Sequence, residues 1–199
     1  FLGIAFNENL GWTHTNNVHD GADLYKLTLK DGGYEFDGGI EQFETRSIQL
    51  KIKNGVGSFS EKMVELKSSV HGPVVSESDD KAVALRVVGL NQPNVFSQYW
   101  EMSKAKNLRE FEKALSSLQN PFFTVMYADN KGHIMHLFGG RTPKRPDENL
   151  DWWGTVQGDI SGTIWDETHL YNELPKAQDP ESGWLQNAND PPWTTTFPK

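Results

Sequence analysis

The chain has 199 residues, with 19 Lys and Arg against 27 Asp and Glu for a net charge of −8, and it contains no cysteine. A length of this order buries a core without help from disulfides or a structural metal, and the missing thiols exclude a Cys nucleophile, a thiolate zinc site and an iron–sulfur cluster. The acidic balance argues against a nucleic-acid partner, 7 Trp and 11 Phe argue against disorder, and no apolar run is long enough for a membrane-spanning helix.

The opening Phe1-Leu2-Gly3-Ile4-Ala5-Phe6 is a strand-like apolar run with no initiator Met and no signal-peptide pattern. The sequence therefore reads as a single domain over 1–199 that is an internal piece of a longer chain. Alternation of apolar and polar residues then predicts half-buried strands. Tyr25, Leu27 and Leu29 share one face, as do Ile48, Leu50 and Ile52; runs at Met63, Val64 and Leu66 and at Ala82 to Val88 follow. Breaks at Asp31-Gly32-Gly33, Asp37-Gly38-Gly39 and Asn54-Gly55 predict hairpin turns, because these residues accept positive φ. The pattern changes after Pro93. Phe96, Tyr99 and Trp100 predict a short helix, and Leu108, Phe111, Ala114, Leu115 and Leu118 predict a second, with Asn107 and Glu110 as a capping box and Asn120-Pro121 as the stop. Strand chemistry returns at Phe122 to Ala128, turns at Asp129-Asn130-Lys131-Gly132 and continues over His133 to Phe138, and the rest is loop-rich. The fold class is α+β, β-rich with a helical segment near residues 93–119.

The 6 His show neither an HExxH pattern nor a zinc spacing, and His133 and His136, at i and i+3 on a strand, face opposite ways. No Ser lies in a GxSxG elbow and no Gly-rich phosphate loop is present. Asp20 and Asp23 flank Gly21-Ala22 in an oxygen-rich turn that could hold a hard cation such as calcium or could be a solvated turn with an Asx hydrogen bond.

Four segments carry a more specific signal. Gly11-Trp12-Thr13-His14-Thr15-Asn16-Asn17 with Asp20, Asp23, Leu24 and Tyr25 resembles the segment after the active-site strand of the penicillin acylase family of N-terminal-nucleophile hydrolases. His71-Gly72-Pro73-Val74-Val75 is similar to that family's HGPV turn, and Tyr127-Ala128-Asp129 with Gly132, His133 and Ile134 to its YADxxGxI hairpin. Leu174-Pro175 through Pro180, Gly183 and Asn187-Ala188-Asn189-Asp190-Pro191 resembles its closing NxN segment. Thr13-His14-Thr15 and Asn189-Asp190-Pro191-Pro192-Trp193 lean toward the cephalosporin acylase, acyl-homoserine-lactone acylase and aculeacin acylase branch.

The resemblance implies part of a four-layer αββα sandwich and an amidase that cleaves an acyl chain from an amine-bearing substrate, such as a β-lactam or an N-acyl homoserine lactone. Its nucleophile would be a β-chain N-terminal Ser, released from a zymogen and using its own α-amino group as base. That Ser is not in this chain, so the chain alone is expected to be inactive. The resemblance places the oxyanion donors at the Asn16 backbone N–H and the Asn189 side chain, with Asn187 as competitor for the second role. It places calcium at Asp20, the Ala22 carbonyl and Asp23, with no cofactor needed for catalysis. It implies the α-chain and the remainder of the β-chain as partners, a small acyl-amide as substrate, and a periplasmic or secreted protein, in some relatives serving antibiotic biosynthesis. The competing reading, from a different class, is a β-rich carbohydrate-binding module in which Trp152-Trp153 stacks on sugar rings.

Overall fold

A computed structural model describes residues 3–91 and 94–197; Phe1 and Leu2 of the opening run, and Pro93, lie outside the described residues. In chain order the strands are β1 (Ile4–Phe6), β2 (Leu10–Thr15), β3 (Ala22–Lys30), β4 (Gly33–Phe36), β5 (Gly39–Glu41), β6 (Glu44–Gly55), β7 (Ser58–Ser69), β8 (Gly72–Glu77) and β9 (Lys81–Val87). Helices α1 (Val95–Lys104) and α2 (Leu108–Leu115) follow, then β10 (Thr124–Asp129), β11 (Ile134–Leu137), β12 (Thr155–Gln157) and β13 (Lys176–Gln178). Where the sequence suggested a single domain over 1–199, these elements fall into two compact units, one of Phe1–Gly21, Val88–Lys144 and Asp166–Lys199, the other of Ala22–Val87 and Arg145–Trp165.

The first unit is an antiparallel sheet of order β1-β2-β10-β11-β13 with both helices on one face. Period-two alternation sorts its side chains. Leu10, Trp12, Val125, Tyr127, Met135 and Leu137 pack with Tyr99, Met102, Phe111, Ala114 and Leu115 of the helices. Opposite pairs Gly11↔Ala128, Thr13↔Met126 and Thr15↔Thr124 take the other face. The predicted cap of α2 is present: Asn107 Oδ1 accepts from Glu110 N at 3.0 Å, and Glu110 reaches back to accept from Lys106 N at 2.9 Å. The helix is shorter than expected, however, and Leu118 lies beyond it with φ +47°. Gln98 on α1 draws the chain out of the helix, because its buried Oε1 accepts from Gln119 N at 2.6 Å and Asn120 N at 3.0 Å. Of the predicted Phe96, Tyr99 and Trp100 stripe only Tyr99 is buried.

The second unit is a sheet of order β5-β4-β3-β9-β8-β7-β6, with β12 paired parallel to β3. Asp31-Gly32 and Asp37-Gly38 form two-residue hairpin turns with φ of +50°, +79°, +48° and +79°, the double positive φ that a type I′ turn needs. On β3, Tyr25 and Leu27 are fully buried as expected, and Asp23 lies on that same face. His71 stacks flat on Tyr25, centroids 4.1 Å apart, and bonds the Gly158 carbonyl through Nε2 at 2.7 Å. Gly72 has φ +134°, and a Cβ there would lie 2.3 Å from the Leu85 carbonyl oxygen, so the HGPV turn is built to pack a strand.

Two expectations in this unit need correction. The turn expected at Asn54-Gly55 is displaced to residues 56 and 57, with Gly57 at φ +73°. The strands around Ile48, Leu50 and Ile52 and around Met63 and Leu66 are not half-buried: Leu50, Ile52, Met63 and Leu66 are all exposed. β6 and β7 form a long ribbon, and β7 continues into the sheet only through Ser68↔Pro73 and Ser69↔Gly72. Alternation shows that a strand has two faces; it does not show that a layer covers either.

Candidate active site

In the first unit, β2 and the segment before the C-terminus meet although their sequences are far apart. Thr15 Oγ1, at the end of β2, donates to Asn187 Oδ1 at 2.5 Å across 172 positions. The same Asn187 oxygen accepts from Asn189 N at 3.1 Å, and Asn187 Nδ2 donates to the Asp190 carbonyl at 3.1 Å. Asp190 closes the turn by accepting from Ala188 N at 2.8 Å and from Thr194 Oγ1, and these bonds, the Thr194 one foremost, hold its carboxyl down to about 2. The turn presses Asn189 into the left-handed region at φ +66°, a conformation that Asn tolerates better than most residues.

Asn16 follows Thr15 directly, and its side chain, like that of Asn189, is exposed. Asn17 Nδ2 ties the loop to the Gly139 carbonyl at 3.0 Å. The two predicted donors thus sit on segments joined by one hydrogen bond. Thr15, which makes that junction with Asn187, and Asp190, which braces the turn behind it, were not singled out from sequence, although both lie inside the recognised motifs. Asn187 is fully engaged in the junction. The Asn189 side-chain amide makes no hydrogen bond among the described residues, which leaves it the better placed of the two for an incoming oxygen.

Alongside runs an apolar cleft of about 590 Å³, lined by Phe6, Gly11, Thr13, Met126, Ile134 and Trp184 among others. Its β2 wall leads into Thr15 and Asn16, and its Gly183–Leu185 wall leads into Asn187. Phe6 and Trp184 are exposed at 86% and 45%.

Asp20 lies in the first unit, in the loop before β3; Ala22 and Asp23 belong to the second. Asp23 does not fit the expected role of calcium ligand. Its side chain is 0% exposed, its Oδ1 accepts from Arg145 Nη2 at 3.0 Å, and its Oδ2 accepts from Arg145 Nε at 3.2 Å and Trp165 Nε1 at 2.6 Å. Three N–H donors take three of its about four lone-pair sites and leave neither oxygen unclaimed. No group of three or more His, Cys, Asp or Glu suited to a metal occurs among the described residues. Trp152 is buried with Nε1 bonded to the Asp147 carbonyl at 2.7 Å, while Trp153 is 87% exposed, so the two rings offer no shared platform for a sugar.

The comparisons with known proteins agree with the motifs. The penicillin amidase family model matches residues 1–199. The chain belongs to the penicillin amidase family. It is 28% identical over 220 residues to the acyl-homoserine lactone acylase PvdQ of Pseudomonas savastanoi pv. phaseolicola, covering 96% of this chain and 28% of that protein. It is 24% identical to the acyl-homoserine lactone acylase QuiP of Pseudomonas aeruginosa, covering 93% of this chain and 23% of that one. Among solved structures it matches the thermostable penicillin G acylase from Alcaligenes faecalis with a TM-score of 0.82 at 23% identity, over 98% of this chain and 34% of the other. The chain therefore spans about a third or less of the length of these relatives. The α+β class and the penicillin-acylase fold expected from the sequence are both found, and the carbohydrate-binding alternative is set aside.

Burial also sets a pH dependence. It holds His14, His136 and His71 below the ordinary histidine value of 6.5. As pH falls through 6.5 the unfolded chain binds protons that the folded chain resists, so this contribution is complete above 6.5 and is lost below it. Exposed His133, raised by its bond to Asp179, acts in the opposite direction but is screened by solvent. The thermal midpoint should fall as pH is lowered from about 7.5 to about 5.5; a midpoint that rises over this range contradicts the assignment.

Proposed function

We propose that this chain carries the oxyanion-binding part of an acylase that hydrolyses the amide between an acyl chain and an amine-bearing partner. The observation that carries the reading is the Thr15–Asn187 junction, which brings the Asn16 and Asn189 segments to one corner of the sheet. In the proposed reaction a Ser at a processed N-terminus, outside this chain, attacks the amide carbonyl while its own α-amino group takes the hydroxyl proton. The carbonyl oxygen becomes anionic, and the Asn16 N–H and the Asn189 amide hold it by donating to it. Collapse expels the amine, which takes up the proton, and leaves an acyl-Ser ester. Water then attacks that ester, giving a proton to the α-amino group, and a second oxyanion in the same place collapses to release the carboxylic acid while the Ser oxygen takes the proton back.

The apolar cleft beside β2 is where the acyl chain would lie: it is open, lined by aromatic and aliphatic side chains, and two of its walls continue along the chain toward Thr15 and Asn187. The amine partner, β-lactam or homoserine lactone, is drawn from the names of the relatives. Maturation from a zymogen, pairing with an α-chain and the remainder of the β-chain, and a periplasmic or secreted location belong to the same proposal.

The test is an amide-hydrolysis assay of the processed full-length protein and of this chain alone with phenylacetyl, glutaryl and long-chain acyl amides. The processed protein should turn over at least one class, and the 199-residue chain none. Turnover by the purified chain that disappears on replacing one of its own serines would overturn the placement of the nucleophile.

A further inference from the structure

We infer that in this protein a guanidinium occupies the electrostatic role for which the resemblance suggested calcium, so that the second unit is stabilised by Arg145 and is indifferent to divalent cations. The inference is independent of the acylase reading, since it uses only the β3 face of the second unit.

Asp23 is the one carboxylate on a strand face that otherwise buries Tyr25 and Leu27, and a buried carboxylate requires a compensating charge. Calcium would compensate it with an open shell of about six to eight oxygens. What surrounds Asp23 is instead nitrogen. Arg145 approaches fork-on, one nitrogen to each carboxylate oxygen at 3.0 and 3.2 Å, and Trp165 Nε1 completes the second oxygen at 2.6 Å. Paired N–H bonds of this kind match a carboxylate in both geometry and charge.

The guanidinium is itself fixed. It lies over the Trp152 ring with its carbon 5.2 Å from the centroid, and its side chain is only 17% exposed. A second positive charge is close by. Arg86 is the cross-strand partner of Asp23 in the β3–β9 ladder, which puts both side chains on one face. It lies over the Trp165 ring at 4.8 Å and donates from Nε to the Trp165 carbonyl at 2.8 Å. One carboxylate is thus served by one guanidinium in contact and a second across a shared tryptophan. A divalent cation added here would meet two positive charges and no unclaimed Asp23 oxygen.

The experiment uses the full chain and calcium chloride alone as the probe. Calorimetric titration should show no stoichiometric binding, and the thermal midpoint should be the same in calcium and in EDTA. Arg145→Lys keeps the charge but loses the fork, and Arg145→Ala loses both, so midpoints should fall in the order wild type, Lys, Ala. Adding Asp23→Asn to Arg145→Ala removes the stranded carboxylate and should recover part of the loss, a non-additivity that simple loss of packing would not give. A stoichiometric calcium site in the wild-type chain, a midpoint raised by calcium, or Arg145 and Asp23 losses that merely add would each overturn the inference. If Arg145→Ala does not fold, the titration and the Lys variant still decide it.

Discussion

Replacing Asn189 by Ala in the processed enzyme lowers kcat about 10²–10³-fold and leaves KM near its original value. The size follows from the proposed role. In that role the Asn189 amide would donate to an oxygen that carries full negative charge only in the tetrahedral states, so its loss should cost about 2.7–4 kcal/mol of transition-state stabilisation and little ground-state binding. Asn187→Ala differs in character. Asn187 joins Thr15 to the Asn189 backbone, so its removal loosens both walls of the corner and should raise KM as well as lower kcat. Steady-state kinetics of the two variants on the best amide substrate separate the roles. An Asn189→Ala enzyme within a few-fold of wild type, beside an Asn187→Ala enzyme that is nearly dead, would transfer the donor role to Asn187.

The second large effect is on stability. Asp23→Ala should destabilise the chain by about 3–5 kcal/mol, because it strands the largely buried Arg145 without its partner. It also leaves Trp165 Nε1 without its acceptor. Urea unfolding should show a lower midpoint with an unchanged slope. A variant as stable as wild type would mean that solvent already compensates Arg145.

These two residues mark what a sequence can single out and where it stops. The Asn16 and Asn189 segments could be singled out, and a role proposed for them, because their motifs are local strings whose residue types have a fixed chemical use. The Asp-Gly turns and the Asn107 cap were legible for a similar reason, since each depends on a backbone need met within four residues. The partners of Asp23, Arg145 and Trp165, were not legible because they lie 122 and 142 positions away. No spacing rule links them, and an Asp beside another Asp in a turn has the same local pattern whether a cation or a guanidinium answers it. The exposed β6–β7 ribbon failed for a related reason: its alternation is genuine, but which layer covers a strand is a property of the assembly. The early exit from α2 had no local signal either, because it is enforced by Gln98 on the preceding helix.

The central claim is that the Asn16 backbone N–H and the Asn189 side chain share one oxygen. A crystal structure of the processed enzyme, with an acyl-chain boronate or phosphonate bound to the nucleophile, tests it most directly. The account predicts one oxygen of the adduct within about 2.7–3.1 Å of both Asn16 N and Asn189 Nδ2, with the Thr15–Asn187 bond intact beside it. A well-ordered Asn189 turned away from the adduct, with that oxygen held by other donors, would contradict it.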